Sequence, residues 1–161
     1  MSAEAGAFGN ANVVVTIMVS YGDVLGSQTP ISWSDDYKIG VGQIDGEHEK
    51  LFGVYQNFIE STRNGSGAEA IREALIILDD YITYHFTNEE ELMISIDFPG
   101  LFSHKLEHLD FQVSVARFKK SVLDGEDINQ DFVKFFGHWL VAHITIMDRK
   151  IGDFLQSSPE A

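Results

Sequence analysis

Four amphipathic segments, each with apolar side chains at the three- and four-residue spacing of an α-helix, constrain this chain more than any other feature. The first begins at Ile44, the second starts after Gly67, the stripe of the third runs from His104 to Val122, and that of the fourth from Phe132 to Leu155. Loop-forming residues end the first three, in chain order Asn64-Gly65, Phe98-Pro99-Gly100 and Asp124-Gly125. Long helices joined by short loops pack as antiparallel neighbours. The pattern therefore predicts an all-α fold, an up-down-up-down antiparallel four-helix bundle.

The first 30 residues differ in composition from the rest of the chain. They are rich in Gly, Ala and Val and end in Gly26-Ser27-Gln28-Thr29-Pro30. We therefore expect residues 1–30 to be an N-terminal extension, partly ordered or with one short strand, and residues 31–161 to form the bundle. The extension is either a simple tail or a contact surface for a second copy or another protein partner, and its composition leaves both interpretations open.

The charge and the missing cysteines exclude several classes of protein. With 25 acidic and 11 basic residues, the formal net charge is −14, so nucleic acid and anionic lipid surfaces would repel the chain. The apolar run Val13–Val19 is short of the roughly 20 residues that a membrane-spanning helix needs. It also lacks the preceding basic residues of a secretory signal. We expect a cytoplasmic protein in which any bound metal is held by nitrogen and oxygen, because the chain has no cysteine.

Polar side chains occupy positions in the four stripes where the helical period requires a buried residue. They come from all four segments, and a buried polar group without a partner is costly. A bound metal would satisfy them all at once. The set consists of His48, His85, Glu89, His104, His108 and His143. The one remaining histidine of the chain, His138, falls outside it.

The spacing within this set indicates two metal ions. His85 and Glu89 are four residues apart, as are His104 and His108, so each pair shares one face of its helix. Five imidazoles and a carboxylate are too many ligands for one ion, and the donor set suits iron, manganese or zinc. Asp148 is the candidate for a second bridging carboxylate. It lies about 140° from His143 on an ideal helix, so we expect a locally widened π-helical turn between them.

The order of these motifs resembles the bacterial haemerythrins over about residues 31 to 156. Type, order and spacing agree at every ligand position of that family. His138 matches none of its ligands. The matching elements are Trp33, Ile44-Asp45-Gly46-Glu47-His48, His85-Phe86-Thr87-Asn88-Glu89, Phe98-Pro99, His104-Lys105-Leu106-Glu107-His108 and Trp139-Leu140-Val141-Ala142-His143-Ile144-Thr145-Ile146-Met147-Asp148.

The resemblance implies two iron ions joined by an oxo or hydroxo bridge and by Glu89 and Asp148. It assigns one iron to His104, His108 and His143 and the other to His48 and His85. The second iron then has one ligand fewer, and dioxygen is expected to bind there. The implied function is reversible dioxygen binding for oxygen storage, delivery or sensing, without enzymatic activity.

Apolar neighbours of the ligands are the candidates for an oxygen pocket. Trp139 and Leu140 lie four and three residues before His143, and Phe52 and Ile82 are the matching neighbours of His48 and His85. Ordinary core packing explains the same residues, and one side chain can both fill space and exclude water.

Two other functions compete with reversible binding. The first is a di-iron redox enzyme, a peroxidase or a nitric-oxide-handling protein; the second is an oxygen or redox sensor that acts on a partner through residues 1–30. Oxygen-activating sites in ferritin-like bundles are rich in carboxylates and use Glu-x-x-His pairs. The present set is dominated by nitrogen and spaced by four, which favours binding over activation.

Overall fold

Four long helices make up most of the described chain. The computed structural model describes residues 31–64 and 68–157. The long helices are α1 (Gly42–Arg63), α2 (Ala68–Ser95), α3 (Leu101–Leu123) and α4 (Asn129–Ala142). A π-helical turn, His143–Asp148, connects α4 to α5 (Arg149–Ser157), and a short 3-10 turn, Asp35–Tyr37, precedes α1. The described ranges contain no β-strand, and the prediction of an all-α helical bundle is confirmed. The predicted N-terminal extension lies outside the described residues.

The helices pack through the apolar stripes that the sequence predicted. Helix α1 lies against α2 and α4, and α2 lies against α3. Aromatic rings connect α3 to α4, with the centroids of Phe111 and Trp139 stacked 3.8 Å apart. Each fully buried large apolar side chain contributes roughly 1.5–3 kcal/mol to folding. This core holds the four helices side by side and so fixes the inward-facing polar groups.

A polar layer interrupts this core between two apolar clusters. In α2, Ile82 belongs to the large cluster and Met93 to the small one. The buried His85 and Glu89 lie between them in the sequence. The small cluster also contains Ile151 of α5. The ligand candidates are therefore enclosed by apolar side chains on both sides along the bundle.

The turn between His143 and Asp148 is π-helical, as the sequence predicted. A π-helix has about five residues between hydrogen-bonded groups in place of four. Two residues five apart, which would point in different directions on an α-helix, therefore face the same way. The widened turn brings both side chains into the polar layer, where they are 3% and 0% exposed.

Helix α5 is anchored to the segment before α1. Arg149 donates hydrogen bonds to the backbone carbonyls of Asp36 and Lys38. Asp45 in turn accepts from the backbone N–H of Ile39 at 2.7 Å. At Gly152 the backbone of α5 and the segment before α1 approach so closely that a Cβ would lie 2.2 Å from the Ile39 carbonyl oxygen. Glycine at 152 thus allows the end of the chain to close the bundle next to the polar layer.

Candidate metal centre

The structure brings together all seven side chains that the sequence singled out as ligand candidates. They come from α1, α2, α3 and the π-helical turn, and none is more than 3% exposed. Their ring nitrogens and carboxylate oxygens point toward one another and form two groups. The seven residues are His48, His85, Glu89, His104, His108, His143 and Asp148.

The first group contains three histidines. Asp148 Oδ1 lies 3.2 Å from His104 Nε2 and 3.1 Å from His143 Nε2. Glu89 Oε2 lies 3.2 Å from His108 Nε2. One donor atom from each of Glu89, His104, His108 and His143 lies within 4.8 Å of the others, close enough to hold one metal ion.

The second group contains two histidines and uses the same carboxylates. His48 Nε2 lies 3.1 Å from Asp148 Oδ2 and 3.6 Å from Glu89 Oε1. His85 Nε2 lies 3.8 Å from Glu89 Oε2. Donor atoms of His48, His85 and Glu89 are again close enough to hold an ion. Glu89 and Asp148 therefore stand between the groups and face both.

Unpartnered polar atoms test whether a metal fits this arrangement. Both carboxylate oxygens of Glu89 and of Asp148, and both ring nitrogens of His48 and of His104, are buried without a hydrogen-bond partner in the described residues. Leaving these groups without a partner costs free energy that coordination would recover. The donors are imidazole nitrogens and carboxylate oxygens, which suit iron, manganese or zinc. The residues present fit two such ions.

Electrostatics within the layer keep the carboxylates ionised. Burial alone would raise the pKa of Glu89, but His85, His104 and the other histidines outweigh it and hold that pKa well below its usual range. The pKa of Asp148 is also lowered, against burial and the charge of Glu89, by the histidines that it faces. Both acids are therefore ready to act as anionic ligands.

The histidines respond in two different ways. Burial lowers the pKa of His48 and His104, but the carboxylates of Asp148 and Glu89 that face each ring outweigh it and raise each pKa to about 9. Burial dominates at His143, whose pKa is lowered. Without a metal, protons therefore occupy part of the site that a cation would fill, and the two compete.

Three of the four predicted pocket residues belong to the large apolar cluster, and the fourth, Trp139, is partly buried and packs against it. Ile82, Leu140 and Phe52 are at most 1% exposed. The Trp139 ring stacks on His143 with centroids 4.3 Å apart, so it lies beside the three-histidine group. Phe86, which the sequence analysis did not single out, stacks on His108 at 3.7 Å. Both stacking contacts place apolar surface beside the three-histidine group, and the part that the four predicted side chains play toward dioxygen stays a prediction.

Two carboxylates that the sequence analysis missed contact the outer nitrogens of ligand candidates. Glu47 Oε2 lies 2.9 Å from His85 Nδ1, and Glu90 Oε1 lies 3.1 Å from His108 Nδ1. Glu47 carries a signal that could have been used, because it is three residues after Ile44 and so falls on the buried stripe of α1. Glu90 is partly exposed and carries no such signal. His138 belongs to neither group of donors.

Fold and site together define a four-helix bundle with a buried cluster of histidines and carboxylates suited to metal ions. Residues 39–155 match the family described as "Hemerythrin HHE cation binding domain". The chain therefore belongs to the haemerythrin family, and the resemblance seen in its motifs is confirmed.

Individual relatives agree with this assignment. The chain is 32% identical to the "Bacteriohemerythrin" of Clostridium acetobutylicum over 126 residues, which cover 75% of this chain and 98% of the relative. It is 33% identical to a "Hemerythrin-like protein" of Naegleria gruberi over 122 residues, covering 76% and 91%. A crystal structure of wild-type hemerythrin matches 80% of this chain and 100% of its own length, with 27% identity and a TM-score of 0.73.

Proposed function

We propose that this protein binds dioxygen reversibly at a pair of iron ions held by the seven buried side chains. One observation carries the proposal: buried nitrogen and oxygen donors converge in two groups that share Glu89 and Asp148. Membership of the haemerythrin family supports the choice of iron and of dioxygen.

The proposed ligands divide unequally between the ions. His104, His108 and His143 would hold one iron, His48 and His85 the other, and Glu89 and Asp148 both. When bound, ferrous iron supplies the electrons that dioxygen takes up on binding and returns on leaving. Because the second group offers one imidazole fewer, it is the group that would leave room for dioxygen.

The absence of a spare buried acid or base favours binding over peroxide chemistry. Among the described residues, the buried charged groups outside the seven ligand candidates are Asp45 and Glu47. Asp45 is occupied by the backbone N–H groups of Ile39 and Gly40, and Glu47 by His85, Asn88 and Gln43. A redox enzyme would need a group free to deliver protons to a reduced oxygen species. The apolar cluster around the ligands would also keep out the water that could carry protons.

Proposed partners and location follow from the composition. Dioxygen is the proposed ligand, and the net charge of −14 argues against nucleic acid. None of the helices in the described ranges has the length and apolar character needed to cross a membrane. The cytoplasm and a protein contact through residues 1–30 stay proposals from the sequence.

Anaerobic loading with ferrous iron, followed by optical spectra, tests the proposal. We expect two irons per chain and a visible absorption band that appears on admitting air and disappears on removing it. A His85→Ala variant should lose the band, and a matched His138→Ala variant should keep it. A wild-type spectrum that converts once and does not return would contradict reversible binding and support the redox enzyme or sensor; rapid consumption of added hydrogen peroxide would identify the enzyme.

A further inference from the structure

Among the described residues, Glu47 is the one buried acid outside the seven ligand candidates that directly contacts one of them. It precedes His48 in α1 and is 3% exposed. Its Oε2 faces His85 Nδ1 at 2.9 Å. Its Oε1 accepts from Asn88 Nδ2 at 2.7 Å and from Gln43 Nε2 at 3.2 Å. The carboxylate is thus held by three side chains, and one of them is a ligand candidate.

This contact determines which nitrogen of His85 carries the proton. A carboxylate oxygen can only accept, so it requires the proton of a neutral imidazole on Nδ1. The lone pair is then on Nε2, the nitrogen directed at Glu89. The hydrogen bond also fixes the plane of the ring and strengthens Nε2 as a donor to a metal.

The corresponding contact in the three-histidine group is weaker, because the carboxylate that makes it is partly exposed and paired with a cation. Glu90 faces His108 Nδ1 at 3.1 Å, but its side chain is 23% exposed. Its other oxygen forms an ion pair with Lys105 Nζ at 2.7 Å. Water and a nearby cation therefore screen its charge, whereas Glu47 is buried and is held by two neutral amides and His85. The ring Nδ1 atoms of His48 and His104 have no hydrogen-bond partner among the described residues.

We propose that Glu47 is a positioning residue that makes His85 the strong, pre-oriented ligand of the two-histidine ion. This inference rests on the proposed metal centre and adds an asymmetry to it. The ion with fewer imidazole ligands has one imidazole that is more basic. This imidazole holds the ion in place while leaving room for an exogenous ligand. Glu47 therefore controls the affinity of one ion and has little effect on the other.

The first test measures metal affinity without iron redox chemistry or dioxygen. Cobalt(II) is titrated into metal-free wild-type, Glu47→Gln and Glu90→Gln proteins against a competing chelator. Glu47→Gln retains size and one acceptor but removes the charge. We expect it to weaken one of the two cobalt ions by about 10- to 100-fold, the range for loss of such an outer contact. The other ion should stay within about threefold of wild type. Glu90→Gln removes the screened counterpart of Glu47 and should weaken the three-histidine ion by a clearly smaller factor than Glu47→Gln weakens the other ion.

Equal affinities in Glu47→Gln and wild type, equal weakening of both ions, or an equally large effect of Glu90→Gln would overturn the inference. Thermal unfolding of the metal-free variants within a few degrees of wild type would exclude general damage to the fold. Loss of dioxygen binding alone, with the cobalt asymmetry intact, would refute the proposed function and leave the role of Glu47 standing.

The second test needs no metal at all. Imidazole nitrogen-15 chemical shifts in the metal-free protein report which ring nitrogen carries the proton. We expect His85 to be protonated on Nδ1 in wild type. In Glu47→Ala, which removes the acceptor, the proton should move to Nε2, where Glu89 Oε2 is 3.8 Å away. A proton on Nε2 in wild type, or an unchanged Nδ1 proton in Glu47→Ala, would overturn the inference even if no metal bound.

Discussion

At the scale of single residues, Glu89 and Asp148 determine how much positive charge the core can hold. Both are 0% exposed, and each faces both histidine groups. Two divalent ions carry four positive charges, and neutral imidazoles cancel none of them. Burying that charge without compensation would cost several kcal/mol per ion. The two carboxylates cancel half of it, which explains why anions occupy the centre of the layer.

Replacing Asp148 by asparagine should therefore remove the metal. The change retains shape but removes one charge and one strong donor from both proposed ions. We expect the iron content after reconstitution to fall from about two per chain to below one, measured by elemental analysis. The matched control is Asp153→Asn, which changes an exposed acid in α5 five residues after Asp148 and should keep both ions. An Asp148→Asn protein with full iron content would contradict a bridging role.

At the scale of the secondary-structure elements, the close approach of α5 to the segment before α1 matters more at Gly152 than the low helix propensity of glycine. Gly152 lies in α5, which packs against the segment before α1, and Gly53 lies in α1 with no other side chain or chain segment within 4 Å of a built Cβ. Glycine lowers helix stability relative to alanine wherever space allows a Cβ. The two positions thus predict opposite effects of one substitution.

Gly152→Ala should destabilise the protein, whereas Gly53→Ala should stabilise it. A Cβ at 152 would lie 2.2 Å from a backbone oxygen, and relieving such overlap costs about 1–3 kcal/mol. At position 53 the gain in helix propensity is about 1 kcal/mol. Urea unfolding of both variants measures the two changes. A Gly152→Ala protein as stable as wild type would show that α5 can move away from Ile39 at no cost.

The elements were predictable from the sequence because burial follows the helical period. The ends at Asn64, before Phe98 and at Asp124 agree with the helices observed. The π-helical turn followed from a single spacing, five residues between two groups that had to meet. Glu90 was not predictable, because its contact with His108 depends on the direction of a partly exposed side chain. The contact between Ile39 and Gly152 was not predictable either, because a backbone contact between residues far apart in the sequence produces no periodic pattern.

At the scale of the whole molecule, folding and metal binding are coupled through the polar layer. The metal-free core contains ionised carboxylates beside histidines whose pKa is raised to about 9. Any ligand that binds only the folded state stabilises it, by about 2.7 kcal/mol at a concentration 100 times its Kd. Protons and metal ions compete for this role, so the stability of the metal-free protein should depend on pH where that of the loaded protein does not.

The metal-free protein should lose stability between about pH 6.5 and pH 9. The folded pKa of His48 and of His104 is raised from 6.5 to about 9, so in this window the folded state binds more protons than the unfolded chain. Their stabilisation is complete below pH 6.5 and is lost as pH rises through 9. The lowered pKa values of Glu89, Asp148 and His143 affect the stability at pH values below this window. Urea unfolding at pH 6.5, 8 and 9.5 measures the effect.

The metal-loaded protein provides the control for this pH dependence. Its histidines bind metal as neutral ligands throughout the range from pH 6.5 to pH 9, so its free energy of unfolding should change little across that range. A metal-free protein with equal stability at pH 6.5 and 9.5 would mean that the carboxylates do not hold protons on His48 and His104.

The seven buried side chains are proposed to hold two irons that take up and release dioxygen. The most direct test of this proposal is the amount of dioxygen bound and recovered per iron, measured with an oxygen electrode over repeated cycles of oxygenation and degassing. We expect two irons per chain, one dioxygen taken up for each pair, and recovery of nearly all of it on every cycle. Uptake that exceeds this ratio, or dioxygen that is consumed and never returned, would contradict reversible binding.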